Sequence, residues 1–564
     1  MTTATSPGKP SANELLKQSS PTLSGTIAQT LTRPEVDRFS DDDNQFLKFH
    51  GIYQQDDRDL RKTGKKYILM VRLRLPGGTL TPQQYLACDD LATRYANQTL
   101  RVTSRQGIQF HGVVKAGLGP LVKSINEALL STLAACGDVM RNIMAPPTSD
   151  ASGLAAQTRQ HARQIAAALA PRTEAYHSIW IEGVPLNLEE PAHRDFVDPL
   201  YGTTYLPRKF KIGFAIPPLN DVDIFTHCCG FIAIADPAGH LLGYNLAVGG
   251  GMGRSHGNAA TFPRLADVVG FLPSDKTVEV SRAALTIHRD FGDRSDRKHA
   301  RLKYVVEDRG VAWFREELQR RLDFPLEAAR PFRFEQQADP FGWHDQADGR
   351  LCLGLFVETG RIRDKDGCRL RTALRRVVEF SQAEVRLTPG NNVILGNIAP
   401  GQQAEITRLF AEHGVNLENQ GSLLRRASMA CVALPTCGLA LAESERYLPD
   451  LISEFEALLT EVGLADEEII IRMTGCPNGC ARPYMAEIGL VGKAPGRYQV
   501  YLGGNEGGTR LNRLYNDNVK AQDIIPELRP LLARFATERQ PRERFGDWCA
   551  RVLWTSEPAH NAAT

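Results

Sequence analysis

Charge of one sign is scarce in this sequence: 67 Lys and Arg stand against 65 Asp and Glu, for a formal net charge of +2. So even a balance excludes the basic footprint that nucleic-acid binding needs. Long apolar runs are missing too, and none approaches the roughly 20 residues of a membrane span. The opening MTTATSPGKPSANELLKQ lacks the apolar core of a secretory leader, and no arginine precedes Arg33, where a transit peptide would carry several. Apolar periodicity is also poor there. The Ser, Thr and Pro content predicts a disordered N-terminal segment over residues 1–40, dispensable for chemistry and at most a docking arm for a partner. Ordered-looking sequence begins at DDDNQFLKF.

What is present starts with length. The 564 residues exceed what one core organises and predict about three domains. KYILMVRLRL, FKIGFAIPP and CGFIAIAD alternate as strands do, and TPQQYLACDDLATRYAN and ESERYLPDLISEFEALLTEVG read as helices. The chain is therefore a mixed α+β protein. It also repeats itself. Tyr244–Gly250 (YNLAVGG) matches Tyr498–Gly504 (YQVYLGG), RVTSRQGI from Arg101 aligns with RLTPGNNV from Arg386, and VRLRLPGG (71–78) aligns with LGLFVETG (353–360), all in the same order. The alignment preserves apolar positions and loses cations: Arg72 faces Gly354 and Arg105 faces Gly390. A cation lost from one copy while the core-facing set persists marks function kept in the other, here an anion site in the N-terminal half.

The eleven cysteines favour metal ligation or buried thiols over disulfides. Cys88, Cys136, Cys228, Cys229, Cys352, Cys368 and Cys549 are ungrouped and read as small packing residues. Four are grouped. Cys431 and Cys437 lie in ACVALPTC, and Cys476 and Cys480 in TGCPNGC. Thiolates so spaced suit an iron–sulfur cluster. A structural zinc site or a disulfide pair remains an alternative on spacing alone. The Pro-Asn-Gly insert between Cys476 and Cys480 leaves backbone N–H groups to point at sulfur.

Two segments concentrate cations: Arg141 in MRN, and Arg208, Lys209 and Lys211 in PRKFK, where alternation places Lys209 and Lys211 on one side. Unaided, these read as surface charges. GGGMGRSHGN (249–258) has glycine without a Walker lysine or a good dinucleotide fingerprint. Its glycines let backbone come close to a bulky neighbour.

MTGCPNGCARPYMAEIGLVGKAPGRYQVYLGG (473–504) resembles the cluster signature of the siroheme-dependent sulfite and nitrite reductases. HGIYQQDDRDLR (50–61), VRLRLPGG, RVTSRQGIQFHG (101–112), YLPRKFKIGFAIPP (205–218) and DRKHARLKY (296–304) resemble that family in the same order. The likeness is greatest to its NADPH-dependent assimilatory sulfite-reducing hemoprotein branch. The resemblance implies a pseudo-twofold, duplicated fold of three domains. Residues 55–145 and 335–420 would be paired ferredoxin-like lobes, residues 146–334 a siroheme and substrate domain, and residues 421–564 the 4Fe-4S and siroheme-ligating domain. It implies siroheme and a 4Fe-4S cluster as cofactors, with Cys431, Cys437, Cys476 and Cys480 on the cluster and Cys480 shared with the siroheme iron. Arg72, Arg141, Lys209 and Lys211 match its anion-binding positions, and Arg101, Arg105 and Arg301 its siroheme-holding ones. Arg301 departs from the lysine of close relatives. His111 is either a ring-edge contact or a packing residue. Nitrite-reducing members commonly carry Asn where Lys211 stands, which points to sulfite as substrate over nitrite. With no flavin or NADPH module in the chain, the electrons would come from a flavoprotein reductase subunit carrying FAD and FMN, or from ferredoxin. The balanced charge, the missing apolar span and the missing secretory leader together predict a cytoplasmic location, with no nucleic-acid or membrane partner.

Overall fold

The computed structural model describes residues 8–148 and 153–554. The chain divides into two compact units. The first holds the described residues of Met1–Gly251, Ala266–Arg333 and Ala338–Gln420, and the second those of Met252–Leu265, Phe334–Gln337 and Gly421–Thr564.

In the first unit, strands β1 (Ile52–Asp56), β2 (Tyr67–Arg72), β3 (Thr79–Leu80), β4 (Leu100–Val102) and β5 (Ile108–Val113) precede a four-stranded sheet. That sheet consists of β6 (Ile212–Ala215), β7 (Cys229–Ala235), β8 (Leu241–Val248) and β9 (Asp267–Pro273). A second set follows: β10 (Gly342–Asp345), β11 (Leu351–Leu355), β12 (Arg361–Ile362), β13 (Asp364–Lys365), β14 (Cys368–Arg369), β15 (Glu384–Leu387) and β16 (Val393–Ile398). Two antiparallel lobes result, ordered β1-β2-β5-β4-β12 and β10-β11-β16-β15-β3. Each lobe thus takes its last strand from the other. Two helices accompany each lobe, Pro82–Tyr95 with Lys115–Glu127 and Leu370–Ser381 with Gln403–Glu412. The first starts at a complete Thr81–Gln84 capping box, which satisfies donors the first turn leaves open.

The second unit carries β17 (Met429–Ala430), β18 (Ile471–Thr474), β19 (Ile488–Ala494), β20 (Arg497–Leu502) and β21 (Arg513–Lys520), in that order across the sheet. Strands β18–β21 repeat β6–β9: a parallel pair, then two antiparallel pairs. The register repeats as well. Ile212 pairs with Cys229 and Ile471 with Ile488, and Tyr244 and Tyr498 face Ala233 and Gly492. In both sheets the loop inside the parallel pair ends on a left-handed residue, Asp223 or Arg482, before a short 3-10 turn. Counting back from those residues sets Pro217 and Asp221 opposite Cys476 and Cys480. The duplication read from sequence is thus a duplication of topology.

The expectation of disorder through residue 40 needs correction. Residues 1–7 lie outside the described residues, but helices Ala12–Ser19 and Ile27–Leu31 are formed, and Leu23, Ile27 and Phe39 are buried. A few apolar anchors and buried ion pairs hold a segment whose composition looked too polar to fold. Among the described residues, no helix is long and apolar enough to cross a membrane.

Candidate functional site

The first unit gathers basic side chains on one face of the β2-β5-β4 sheet. Arg72 pairs with Gln109, and Gln109 with Arg101, so the three stand abreast across the strands. Their counterparts in the other lobe are Gly354, Ile394 and Arg386. Arg386 is buried and ion-paired to Glu384 inside its own lobe, which leaves that copy without the polar row. Gln109 bridges the row. With its amide oxygen toward the guanidinium it accepts from Arg72 Nε at 3.1 Å, and its nitrogen donates to His111 Nε2 at 3.3 Å. His111 is therefore buried and hydrogen-bonded to Gln109 within the polar row. Arg72 Nη1 also donates to Cys136 Sγ at 3.0 Å. Six of the seven ungrouped cysteines are buried as expected, but Cys136 does more than pack, and Cys368 is exposed on the β13–β14 hairpin.

The remaining anion-site candidates come from two segments that pair side by side. Arg141 N–H donates to Phe210 O, Phe210 N–H to Val139 O, and Met144 N–H to Ile212 O, at 3.0, 3.0 and 3.2 Å. Phe210 and Ile212 face the core and leave Lys209 and Lys211 half-buried on the other side. Lys209 becomes the focus of the cluster. Burial drives its ammonium well below the usual lysine range, and Arg301, Arg141, Arg208 and Lys211 push it further. Tyr53 ties Arg72 to the same group. Burial and Cys136 raise its phenol, against Arg141, Arg72 and Arg208. Arg72, Arg141, Lys209, Lys211 and Arg301 thus come together, with Arg208 as an addition that sequence reading treated as incidental. A bound anion would relieve this mutual repulsion and favour the charged form of Lys209.

Arg301 supplies a test of fit for a carboxylate-rich cofactor. It is 6% exposed, and its Nε and Nη2 are buried without a hydrogen-bond acceptor. Such a nitrogen costs about 1–3 kcal/mol unless an oxygen meets it. Lys303, missed in the sequence although it lies in DRKHARLKY, donates to Gly251 O at 3.2 Å beside it. A Cβ at residue 251 would come within 2.7 Å of Arg301 Nη2, so glycine there leaves both cations room beside the main chain. An arginine fork, a second cation and bare backbone fit the carboxylates of siroheme, and the fork offers a carboxylate two nitrogens where lysine offers one. Arg101 and Arg105 are engaged differently. Arg101 donates to Val102 O, while Arg105 Nη2 reaches Asn142 O at 2.5 Å and Ile212 O at 3.2 Å. Arg105 thereby ties the two cation-bearing segments together.

The second unit gathers the four grouped cysteines. Burial and the Cys480, Cys476 and Cys437 thiols raise Cys431 well above the usual range, and burial with Cys480 pushes Cys476 up to about 12. Thiols held protonated in this way at Cys431 and Cys476 need a cationic centre to become thiolates. Donors already aim at the sulfurs. Gly475 N–H reaches Cys431 Sγ at 3.3 Å, and Asn478 reaches Cys476 through its backbone and, at 3.5 Å, its side-chain amide. The Pro-Asn-Gly insert thus contributes one N–H, and Gly475, outside it, the other. Among the described residues, no three His, Cys, Asp or Glu crowd together as a single metal ion requires. A cubane differs in giving each thiolate its own iron. No disulfide joins any of the eleven cysteines.

Residues 61–128 and 344–413 match the family described as nitrite/sulfite reductase ferredoxin-like half domain. Residues 160–326 match the nitrite and sulphite reductase 4Fe-4S domain. That stretch holds none of the four grouped cysteines, but its sheet is the one β18–β21 repeats, so the shared fold explains the match. The NADPH sulfite reductase hemoprotein beta-component of Myxococcus xanthus (strain DK1622) is 48% identical over 552 residues, covering 97% of each chain. Its namesake in Methylobacterium nodulans is 50% identical over 549 residues, 96% of this chain and 90% of that one. The solved structure of Mycobacterium tuberculosis NirA protein matches with a TM-score of 0.78 over 96% of this chain and 97% of that one. Its 24% identity makes that a likeness of fold. Paired lobes, a duplicated sheet and relatives alike over nearly their whole length place the chain in the nitrite and sulfite reductase family.

Proposed function

We propose that this chain is the hemoprotein component of an assimilatory, NADPH-dependent sulfite reductase, reducing sulfite to sulfide by six electrons. The observation that carries the reading is the convergence of Arg141, Arg208, Lys211 and Arg301 on Lys209. A dianion needs several cations in a partly dry pocket, and charge-assisted hydrogen bonds there are about twice as strong as neutral ones. Arg72, Arg141, Lys209 and Lys211 bind and orient the substrate. Lys209 and Lys211 donate protons as the oxygens leave, two protons for each oxygen lost as water, and are reprotonated from solvent after each donation. Arg101, Arg105 and Arg301 would hold siroheme carboxylates, Cys431, Cys437, Cys476 and Cys480 would hold the 4Fe-4S cluster, and Cys480 would also serve the siroheme iron. When bound, the coupled pair of cofactors supplies electrons one at a time to the substrate sulfur. Those electrons come from a separate flavoprotein subunit oxidising NADPH, in the cytoplasm, without nucleic-acid or membrane partners.

The test is turnover of purified protein with a chemical reductant, sulfite against nitrite, with the visible spectrum recorded. The reading expects siroheme absorption and a higher kcat/KM for sulfite. A protein without siroheme absorption, or one that prefers nitrite, would overturn it.

A further inference from the structure

The N-terminal segment is wired into the cation cluster. Helix Ala12–Ser19 presents Glu14 and Lys17, 3% and 2% exposed. Glu14 pairs with Lys17 and with Arg294. Lys17 Nζ donates to Leu206 O at 2.8 Å and stands 3.8 Å from Asp138 Oδ2. Asp138, itself buried, receives Arg297 on both oxygens at 2.6 and 3.2 Å and has Arg208 at 3.7 Å. Burial pushes its carboxyl up, but Arg297, Lys17 and Arg208 hold it well below the usual range. Two buried carboxylates thus organise four cations.

Their position makes the network more than a structural ion cluster. Asp138 and Arg208 lie in the two segments that carry Arg141, Lys209 and Lys211. The Asp138 carbonyl accepts from Leu206 N–H at 3.0 Å, so its main chain holds one end of the lysine strand while its side chain holds Arg208 and Arg297. Lys17 grips the same strand through Leu206 O. Without Lys17, Asp138 keeps its charge and loses one of its three cations. Arg208 and Arg297 are then drawn inward, away from the anion.

We infer that Lys17 is a positioning residue for the anion site, acting through Asp138 to hold Arg208 and the Leu206–Lys211 strand so that Arg141, Lys209 and Lys211 face the substrate. The N-terminal helix is then part of the active site rather than a leader or docking arm. This rests on the reading that those cations bind sulfite.

The experiment compares wild type, Lys17→Met, Lys17→Arg, Asp138→Asn and the Lys17→Met/Asp138→Asn double variant as cofactor-loaded enzymes. A chemical reductant removes donor docking from the comparison. Sulfite affinity is also measured without turnover, by optical titration of the oxidised enzyme. Lys17→Met should raise the sulfite KM and dissociation constant about tenfold, with a smaller loss in kcat and unchanged siroheme and iron content. Lys17→Arg should recover most of the affinity. In the Asp138→Asn background, Lys17→Met should add little. A merely structural helix would lower the active fraction and leave KM where it was, and that result overturns the inference. So would a Lys17→Met effect of equal size with and without Asp138. Should Lys17→Met fail to load its cofactors, Lys17→Gln, which keeps a donor for Leu206 O, takes its place under the same criteria. A wild type that neither binds nor turns over sulfite would refute the underlying function instead.

Discussion

His50 provides a quantitative test of how the N-terminal segment is anchored. It follows the helix Asp41–Phe49 and is fully buried. Trp180 Nε1 donates to its Nδ1 at 2.7 Å, and indole is a donor only, so the ring proton sits on Nε2 and points at Leu23 O, 3.0 Å away. A second proton on Nδ1 would face an N–H. Burial accordingly pulls the imidazole from 6.5 down to about 4, with the Leu23 hydrogen bond opposing. Below pH 6.5 the unfolded chain takes up a proton that the folded one refuses, so stability falls as pH drops toward 4. That depression is worth about 3 kcal/mol in full, about 2 kcal/mol of it lost between pH 6.5 and 5. His288 is buried at about 4 as well and adds a second such proton. Denaturant unfolding of wild type and His50→Gln at several pH values between 7 and 5 measures the difference. His50→Gln should be less stable at pH 7, by about 1–3 kcal/mol for the disrupted hydrogen bonds. Its stability should fall less steeply on acidification, by close to one proton's slope, so the two curves converge. Parallel curves would refute the assignment of a neutral, proton-refusing His50.

Three further outcomes are expected. Cys480→Ser should abolish the coupled siroheme and cluster signals, whereas Cys352→Ser should keep them, as iron analysis and optical spectra will show. Lys211→Asn should shift kcat/KM from sulfite toward nitrite about thirtyfold with cofactors retained. One lost cation near 5 Å costs each unit of substrate charge about 2 kcal/mol at an intermediate dielectric, and steady-state kinetics with both anions measure the ratio. Gly475→Ala should lose cluster iron. Its Cβ would lie 2.5 Å from Ala433 Cβ and 2.6 Å from Ala442 O, which forces the N–H away from Cys431 Sγ.

The sequence spoke most clearly where chemistry is local. The Thr81–Gln84 cap, the alternation of CGFIAIAD and the spacing of Cys476 and Cys480 depend on near neighbours, and each reads directly as structure. The duplication was legible because Tyr244 and Tyr498 occupy the same register position in sheets built alike. Long-range partners left no such trace. Nothing near Asp138 in sequence announces Lys17 or Arg297, the latter 159 residues further on. Gln109 and Lys303 sat inside segments resembling the family, but their roles emerge only when β2, β4 and β5 lie side by side and residue 251 approaches the helix at Leu302. The two-residue strands β3 and β12 are too short for any periodicity to reveal.

Those two short strands bear on how the protein is made. The sheet containing β4 has an open edge until Arg361 and Ile362 leave the ribosome, long after the helix Pro82–Tyr95 is complete. Reciprocally, β15 pairs with Thr79 and Leu80, synthesised some three hundred residues earlier. Neither lobe can close alone during translation, and each exposes an unpaired strand while the other is unfinished, the condition under which nascent sheets pair with the wrong chain. Chain halves expressed separately should therefore aggregate or find each other, and a stalled ribosome would display a sticky half-molecule.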